Sequence, residues 1–304
     1  MMKLGLVSAI LPELSFEELF DYSAGLGFEG IEVCCWPKGK AERRYAGITH
    51  IDLDTLTPEK EKHYLDYAKK YGIGISSLGY YPNALSVDKA EAEVAVAHIK
   101  ELIEASARMD IGMVTTFIGR DQKETVEANL DKMEKVWGPI IKLAEEKNVL
   151  IAIENCPMLF TKDEWPGGKN LMAAPYLWRN VFERLPSKNL GLNYDPSHLM
   201  LTGSDHVLPV YDFAEKIFHV HFKDIRIYQD KLNEYGRFAY PSLWHSPKIP
   251  GLGQIDFAAL ISALNDIRFD GYACIEIEDK TFEGSAEEVR SAIKQSYEFL
   301  RQYM

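Results

Sequence analysis

Short apolar runs alternate with longer amphipathic stretches along the chain, which has 304 residues. Most of the runs are almost continuously hydrophobic, as expected of parallel strands that are covered on both faces. We predict eight strands, near residues 3–8, 30–35, 74–78, 113–118, 150–155, 190–195, 218–223 and 273–277. The stretches between them have the periodicity of α-helices. The pattern therefore predicts repeated βα units.

The longer stretches carry the residues that begin and end helices. Ser15 precedes the first stretch and Gly27 follows it, while Thr57 and Pro58 begin the second and Gly72 follows it. Further helices are predicted over residues 88–109, 124–147, 176–184, 208–216, 256–267 and 285–304. The chain has no linker rich in Pro, Gly or Ser. These features predict one (β/α)8 barrel domain over residues 1–304 rather than two doubly wound domains.

Two connections are too long to be simple turns. They follow the second and seventh strands and cover residues 35–56 and 225–255. Long loops that follow barrel strands lie over the mouth of the barrel, where the active sites of such barrels occur. The second connection is rich in aromatic residues, which suits a lid that excludes water or stacks on a sugar ring. A packed surface excursion or an oligomer contact is the alternative.

Charge and hydropathy exclude two classes of partner. The net charge of -12 argues against nucleic acid, because phosphate binding needs clustered Lys and Arg. The basic residues Lys38, Lys40, Arg43 and Arg44 are interpreted as a solvated loop, with a role near an anionic substrate as the alternative. No apolar run approaches the length of a membrane span, and the start of the chain reads as a strand rather than a signal peptide. We therefore expect a cytoplasmic protein.

The four cysteines, Cys34, Cys35, Cys156 and Cys274, lie inside or at the ends of apolar runs and have no CxxC spacing. This pattern is typical of buried, uncharged thiols. We interpret them as small core residues rather than as a zinc site or a disulfide framework.

Titratable side chains end the last four barrel strands. Glu154, Asp195, His221 and Glu276 lie at the carboxyl ends of strands five to eight, so they are expected to converge at one side of the mouth. Three carboxylates that meet in one place repel one another, and a divalent cation holds them ionised. Three oxygens and one nitrogen suit Mn2+, Mg2+, Co2+ or Fe2+, with Zn2+ as a further possibility.

Six short motifs occur in an order and spacing that together are strongly specific. They are GFEGIE at 27–32, IAIEN at 151–155, DPSH at 195–198, HVHFKD at 219–224, GLGQIDF at 251–257 and GYACIE at 271–276. With these motifs the chain resembles, over essentially its whole length, the xylose isomerase-like TIM barrels. This sugar-phosphate isomerase/epimerase superfamily includes ketose 3-epimerases and inosose dehydratases.

The resemblance implies roles for the residues that match its motifs. It implies that Glu154, Asp195, His221 and Glu276 bind one divalent metal ion, with Mn2+ as the first choice. It also implies that Glu154 and Glu276 act as acid and base, one removing a proton beside a carbonyl and the other returning it, through an enediolate that the cation stabilises. The expected activity is that of a metal-dependent isomerase or epimerase of a sugar or keto-sugar.

Other side chains are expected to contact the substrate. His198 resembles the substrate-binding histidine of the family, and Asn193 lies at the same strand end. Lys223 shares a strand face with His221 and could neutralise an enolate, although an ion pair with Asp224 is its alternative.

Aromatic residues and two further polar residues near the strand ends are weaker candidates. Trp36, Phe117 and Trp244 are expected to line the cavity, with core packing as their alternative. His219 is interpreted as a core histidine with its hydrogen bonds satisfied. Glu32 is expected either to brace the metal ligands by a hydrogen bond or to contact the substrate.

Several alternatives to the epimerase hypothesis remain open. The arginine with which ketohexose epimerases hold their substrate has no match after strand seven, where Ile227 stands beside Arg226. A dehydratase acting on a keto-sugar or inosose begins with the same proton abstraction and is the runner-up. A non-catalytic sugar-binding barrel ranks lower, and a related apurinic endonuclease would need a basic groove. A homo-oligomer is compatible with the aromatic loops.

Overall fold

Eight parallel strands close into a barrel in the computed structural model, which describes residues 1–38, 45–159 and 161–304. The barrel strands are β1 Lys3–Val7, β2 Gly30–Cys34, β3 Gly74–Gly79, β4 Met113–Thr116, β5 Leu150–Glu154, β6 Leu190–Tyr194, β7 Ile217–Phe222 and β10 Tyr272–Ile275. Around the barrel, each strand pairs with the next in the cyclic order β1-β10-β7-β6-β5-β4-β3-β2. Both the number and the places of the predicted strands are confirmed.

Helices alternate with the strands and cover the outside of the barrel. They are α1 Phe16–Leu26, α2 Pro58–Tyr71, α3 Lys89–Arg108, α4 Val126–Lys147, α5 Pro175–Arg184, α6 Pro196–Thr202, α7 Leu208–Asp212, α8 Gln229–Tyr235, α9 Phe257–Asp266 and α10 Ala286–Leu300. Ser15 caps α1 in a capping box with Glu18, and Gly27 follows the helix with φ 91°. The predicted helix over 208–216 is wrong in its length. It divides into α7 and a separate 3-10 turn, because Phe213 leaves helical geometry where its ring packs on Trp178.

The connection after β7 is more ordered than a loop. Two short strands, β8 Asp224–Ile227 and β9 His245–Lys248, pair antiparallel and enclose α8. Asp224 organises the turn that follows β9, because its carboxylate accepts backbone N–H bonds from Gly251, Gly253, Gln254 and Ile255 at 2.9–3.0 Å. Asp224 is therefore engaged with the turn and is not the ion-pair partner of Lys223.

The connection after β2 is only partly described. Lys38 forms an exposed ion pair with Asp52 at 2.6 Å, while Lys40, Arg43 and Arg44 lie outside the described residues. Cys35 and Thr49 form an isolated antiparallel bridge that holds the two ends of this connection together. Among the described residues, no helix has both the length and the apolar character needed to cross a membrane.

Candidate metal centre

The structure brings the four predicted ligands together at the carboxyl ends of the strands. Glu154 ends β5, Asp195 caps α6 directly after β6, His221 lies in β7 and Glu276 follows β10. One donor atom from each of the four lies within 4.8 Å of the others. The strands are buried on both faces, so these polar side chains lie in a site with little exposure to water.

Buried polar atoms in this site lack hydrogen bonds. Asp195 Oδ2, His198 Nε2, His221 Nδ1 and Glu276 Oε2 are each buried and make no hydrogen bond of good geometry, although they form two close His–carboxylate contacts of 3.1 Å. Buried polar atoms in folded proteins are almost always paired, because desolvating them without a partner costs about 1–3 kcal/mol each. Three of the four atoms belong to the predicted ligand set, and a divalent cation would satisfy them together. The residues present therefore fit such an ion.

A hydrogen bond on the far side of the imidazole orients His221. Its Nε2 lies 2.9 Å from Glu32 Oε2, while its Nδ1 lies 3.1 Å from Glu276 Oε2. Tyr81 donates to the other oxygen of Glu32 at 2.5 Å. When Glu32 accepts the Nε2 proton, the Nδ1 lone pair faces the carboxylates. This arrangement is the one in which a carboxylate sets the tautomer of a metal-binding histidine.

The environments of the two glutamates push their pKa values apart. Burial and the neighbouring charge of Glu276 raise the pKa of Glu154 above its usual value. Burial opposes ionisation of Glu276 as well, but the positive charges of Lys223 and His221 outweigh it and hold the pKa of Glu276 well below its usual value. The two carboxyl groups of the site therefore differ in how readily they ionise.

His198 and Lys223 border the carboxylates. His198 Nε2 lies 3.1 Å from Asp195 Oδ2 and 3.3 Å from Glu154 Oε1. The Asp195 charge outweighs burial and raises the pKa of His198. Lys223 Nζ lies 2.7 Å from Glu278 and 3.3 Å from Glu276. Both cationic groups therefore lie where they would contact a substrate bound beside the four donor residues.

The remaining sequence candidates occupy different places. Trp36 and Phe117 line the cavity beside the four donors, as expected. Trp244 is buried in the segment between β8 and β9, where its Nε1 donates to Ala239 at 3.3 Å, and it is not among the described residues that line this cavity. Asn193 is fully buried beneath the donors, where its Nδ2 donates to Tyr81 Oη at 3.2 Å.

His219 is a neutral core histidine, as its place on β7 suggested. Its Nδ1 lies 3.0 Å from Asn193 Oδ1 and its Nε2 lies 3.1 Å from Ser76 Oγ. Burial lowers its pKa to about 3. His219 therefore supports the site from below through Asn193.

Sequence reasoning missed several residues that line the cavity, among them Tyr81, Cys156 and Glu278. A signal existed for Glu278, because it follows Glu276 by two positions and strand alternation would place both on one face. Cys156 likewise follows Glu154 by two positions. Tyr81 lies beyond the end of β3, and no pattern indicates that its side chain turns back toward Glu32.

Fold and site together define a (β/α)8 barrel with a candidate divalent-cation centre at the carboxyl ends of its strands. A family model described as xylose isomerase-like TIM barrel matches residues 20–303, and the chain belongs to that family. The resemblance found in the sequence is thereby confirmed.

Relatives and solved structures in the comparisons include both epimerases and dehydratases. The chain is 25% identical to the uncharacterised protein YfiH of Bacillus subtilis (strain 168), over 99% of each chain. It is 24% identical to the inosose dehydratase of Geobacillus thermodenitrificans (strain NG80-2), over 51% of this chain and 62% of that one. The D-psicose 3-epimerase of Clostridium cellulolyticum H10 shares the fold at 15% identity, with a TM-score of 0.73 over 99% of each chain.

Proposed function

We propose that this protein is a divalent-cation-dependent isomerase or epimerase that moves a proton on the carbon beside a carbonyl group of a sugar or keto-sugar. The observation that carries the proposal is the presence of two glutamates, Glu154 and Glu276, in one buried donor set with Asp195 and His221. Two carboxyl groups on one site can remove a proton from one face of a carbon and return one to the opposite face. The fold shared with a D-psicose 3-epimerase supports the same reaction class.

Glu154, Asp195, His221 and Glu276 would hold the cation. When bound, it would polarise the substrate carbonyl and so lower the free-energy cost of the negative charge that develops as the proton leaves. Mn2+ is our first choice for a set of three oxygens and one nitrogen, and Mg2+, Co2+, Fe2+ and Zn2+ are the alternatives. The unpaired atoms at Asp195, His221 and Glu276 support the assignment of these ligands.

The two glutamates divide the proton transfers between them. One of Glu154 and Glu276 takes the proton from carbon, and the other returns one to carbon. Despite burial, the charges of Lys223 and His221 favour the ionised form of Glu276, whereas burial and the charge of Glu276 oppose ionisation of Glu154, with a direction of pKa shift that is opposite for the two groups. In the reverse direction the roles exchange, since each group then begins in the other protonation state.

The other side chains of the cavity position the substrate and limit access of water. His198 Nε2 is buried between the Asp195 and Glu154 carboxylates and makes no hydrogen bond of good geometry, so a substrate oxygen could accept its proton. Lys223 faces the same carboxylates and offsets negative charge on the reacting oxygen. Trp36, Tyr81 and Phe117 give the cavity apolar walls, which strengthen electrostatic interactions inside it.

The experiment that tests the proposal is hydrogen exchange in D2O. The protein is incubated with Mn2+ and a panel of ketoses, keto-sugars and inososes, and deuterium incorporation at carbon is followed by NMR. We expect incorporation with at least one substrate, and its loss in Glu154→Gln and in Glu276→Gln. The exposed Glu287→Gln, in the first turn of α10, is the matched control and should retain it.

Three results would count against the proposal. Exchange that survives both substitutions would remove the glutamates from the proton path. Absence of exchange across the panel, in protein shown to bind Mn2+, would reject these substrates. Failure to bind any divalent cation would reject the metal centre and favour a non-catalytic sugar-binding barrel.

A dehydratase is the second candidate. The observation that favours it is the pair of proton-bearing groups, His198 and Lys223, which lie 3.1 Å and 3.9 Å from Asp195 Oδ2 and could assist a departing hydroxyl. The similarity to an inosose dehydratase over half of the chain supports the same possibility. NMR of the products separates the two reactions, because dehydration removes a carbinol proton signal whereas epimerisation inverts one centre.

The partner that either reaction requires is a small carbohydrate. The cytoplasmic location and the homo-oligomeric state expected from the sequence stay predictions.

A further inference from the structure

Cys156 lies at the edge of the metal centre, two residues after Glu154. It is buried and lines the cavity, and its Sγ accepts an N–H bond from Met158 at 3.3 Å. The Asn170 side chain donates to the backbone oxygens of Glu154 and Cys156 at 2.8 and 2.7 Å. The sulfur therefore has a fixed place relative to Glu154, unlike a thiol on a free loop.

A second set of donor atoms forms around this sulfur. One donor atom each from Glu154, Cys156 and His198 lie within 4.8 Å of one another, and all three residues are buried. His198 Nε2 is buried and makes no hydrogen bond of good geometry, although Asp195 Oδ2 lies 3.1 Å away and Glu154 Oε1 3.3 Å away. These two carboxylates are the ones that also border the predicted metal. An imidazole nitrogen beside a thiol and a carboxylate is a donor set for a borderline-soft cation.

The carboxylate of Glu154 faces both donor sets. Its Oε1 lies 3.3 Å from His198 Nε2, whereas its Oε2 lies on the other side, 3.9 Å from His221 Nδ1. A carboxylate placed in this way bridges two cations in two-metal sites, where the ions are about 3.5–4 Å apart. Glu154 thus has one oxygen for each set.

The charge around the site leaves room for a second cation. The carboxylates in and beside the site belong to Glu32, Glu154, Asp195, Glu276 and Glu278. Among the described residues that line the cavity, Lys223 is the one lysine or arginine. Lys223, the protonated His198 and one divalent cation offset only part of the charge of these five carboxylates, so a further cation is attracted to it.

We propose that Glu154, Cys156 and His198 form a second cation position that prefers thiophilic divalent ions such as Zn2+. It adjoins the position formed by Asp195, His221 and Glu276, and Glu154 bridges the two. Binding there releases the proton of the Cys156 thiol and the proton of His198 Nε2 to solvent, since the thiolate and the unprotonated imidazole nitrogen are the ligand forms. An ion in this position also occupies the His198 nitrogen that would otherwise contact substrate. Thiophilic ions therefore inhibit the enzyme, an effect that rests on the function proposed above.

The experiment uses Cd2+ as a spectroscopic probe of the thiolate. The protein is first saturated with Mn2+, and Cd2+ is then added while the ultraviolet thiolate-to-cadmium charge-transfer band is recorded. Bound metals are counted by atomic emission after desalting. We expect the band to saturate at one Cd2+ per chain with one Mn2+ retained. Cys156→Ser should lose the band.

Matched variants separate the two positions. Cys35→Ala removes a buried thiol that does not line the cavity and should keep the band. Glu276→Gln should weaken Mn2+ binding yet keep the band, because Glu276 belongs to the first position alone. Near-ultraviolet circular dichroism shows whether Cys156→Ser keeps its native packing. Absence of the band in the unsubstituted protein would overturn the proposal. So would a band that persists in a folded Cys156→Ser protein, or Cd2+ that binds only by displacing Mn2+.

Inhibition is measured separately. Zn2+ added to the Mn2+-loaded protein should slow deuterium exchange in the unsubstituted protein and in Cys35→Ala. The same Zn2+ should leave the residual rate of Cys156→Ser unchanged. Equal inhibition of all three would overturn the inhibitory role. If no substrate undergoes exchange, the proposed function fails, whereas the Cd2+ measurement still decides the second position.

Discussion

Glu32 lies beside the candidate metal centre, outside the set formed by Glu154, Asp195, His221 and Glu276. Its carboxylate lies on the far side of the His221 ring from the other donors and is fully buried. Tyr81 donates to one of its oxygens and the His221 Nε2 lies within hydrogen-bond distance of the other. The sequence left two roles open for this residue, a brace for the metal ligands or a substrate contact. The bonded geometry supports the brace, because both oxygens already have partners.

Replacing Glu32 with Gln should weaken cation binding while leaving the fold in place. The amide can accept from His221 and donate to Tyr81, so both bonds are retained, but the negative charge that makes the imidazole a stronger ligand is lost. Such changes beside metal ligands cost about 10–100-fold in affinity. Isothermal titration with Mn2+ measures the change.

Tyr81→Phe provides the graded comparison for Glu32→Gln. It removes one hydrogen bond to Glu32 and leaves the charge, so its effect on Mn2+ affinity should be smaller. Equal affinity of Glu32→Gln and the unsubstituted protein would show that Glu32 does not tune the ligand set.

The residues of the candidate site that lie at the ends of barrel strands were predictable from the sequence. Glu154, Asp195, His221 and Glu276 end buried strands, so their convergence follows from the barrel alone. The direction in which a side chain points from an irregular segment cannot be read from the sequence. Tyr81 was missed for that reason. Trp244 has the aromatic character expected of a cavity wall. It is buried instead within its own segment, since a long connection must first form a core of its own.

At the scale of elements, the barrel was predictable and the hairpin above it was not. The eight barrel strands are apolar runs bounded by helices, whereas β8 and β9 are four residues each and β9 contains Pro247. Proline removes a backbone donor and argues against a strand unless that strand lies at an edge. The two-stranded sheet has no inner strand, and Pro247 is tolerated there. Burial of Asp224 beneath the turn after β9 holds the hairpin on the barrel.

Replacing Asp224 with Asn should destabilise the hairpin and the protein. The carboxylate accepts four N–H bonds from the turn at 249–255. An amide has one acceptor oxygen and turns its NH2 group toward N–H donors, which leaves buried donors unpaired. Hydrogen bonds to charged groups contribute about 1.5–3 kcal/mol each, and we expect a loss of about 2–3 kcal/mol in the free energy of unfolding. Urea unfolding measures it.

Asp270→Asn is the control for Asp224→Asn, because Asp270 is exposed in the loop before β10. It should change the free energy of unfolding by less than about 0.5 kcal/mol. Similar stability of the two variants would contradict the role assigned to the Asp224 carboxylate.

At the scale of the whole molecule, the fold concentrates negative charge in one buried place. The chain carries a net charge of -12, and the strand order brings Glu154, Asp195 and Glu276 within a few ångströms of one another. Like charges in a desolvated site oppose folding, and Lys223 relieves only part of the repulsion. The remainder of the barrel supplies the packing that tolerates it, with a core that extends through the strands and the inner faces of the helices.

A cation that satisfies these carboxylates should therefore stabilise the folded chain as a whole. An ion that binds the folded state alone stabilises it by RT ln(1 + [L]/Kd), which is about 2.7 kcal/mol at a hundredfold excess over Kd. We expect the thermal unfolding midpoint to rise when Mn2+ replaces EDTA. Glu276→Gln should lose most of this rise because it lacks one ligand, while Glu287→Gln should keep it. An unfolding midpoint that is the same in EDTA and in saturating Mn2+ would mean that the unpaired atoms at Asp195, His221 and Glu276 are not cation ligands. Scanning calorimetry of the three proteins with and without the ion decides between these outcomes, and it requires no knowledge of the substrate.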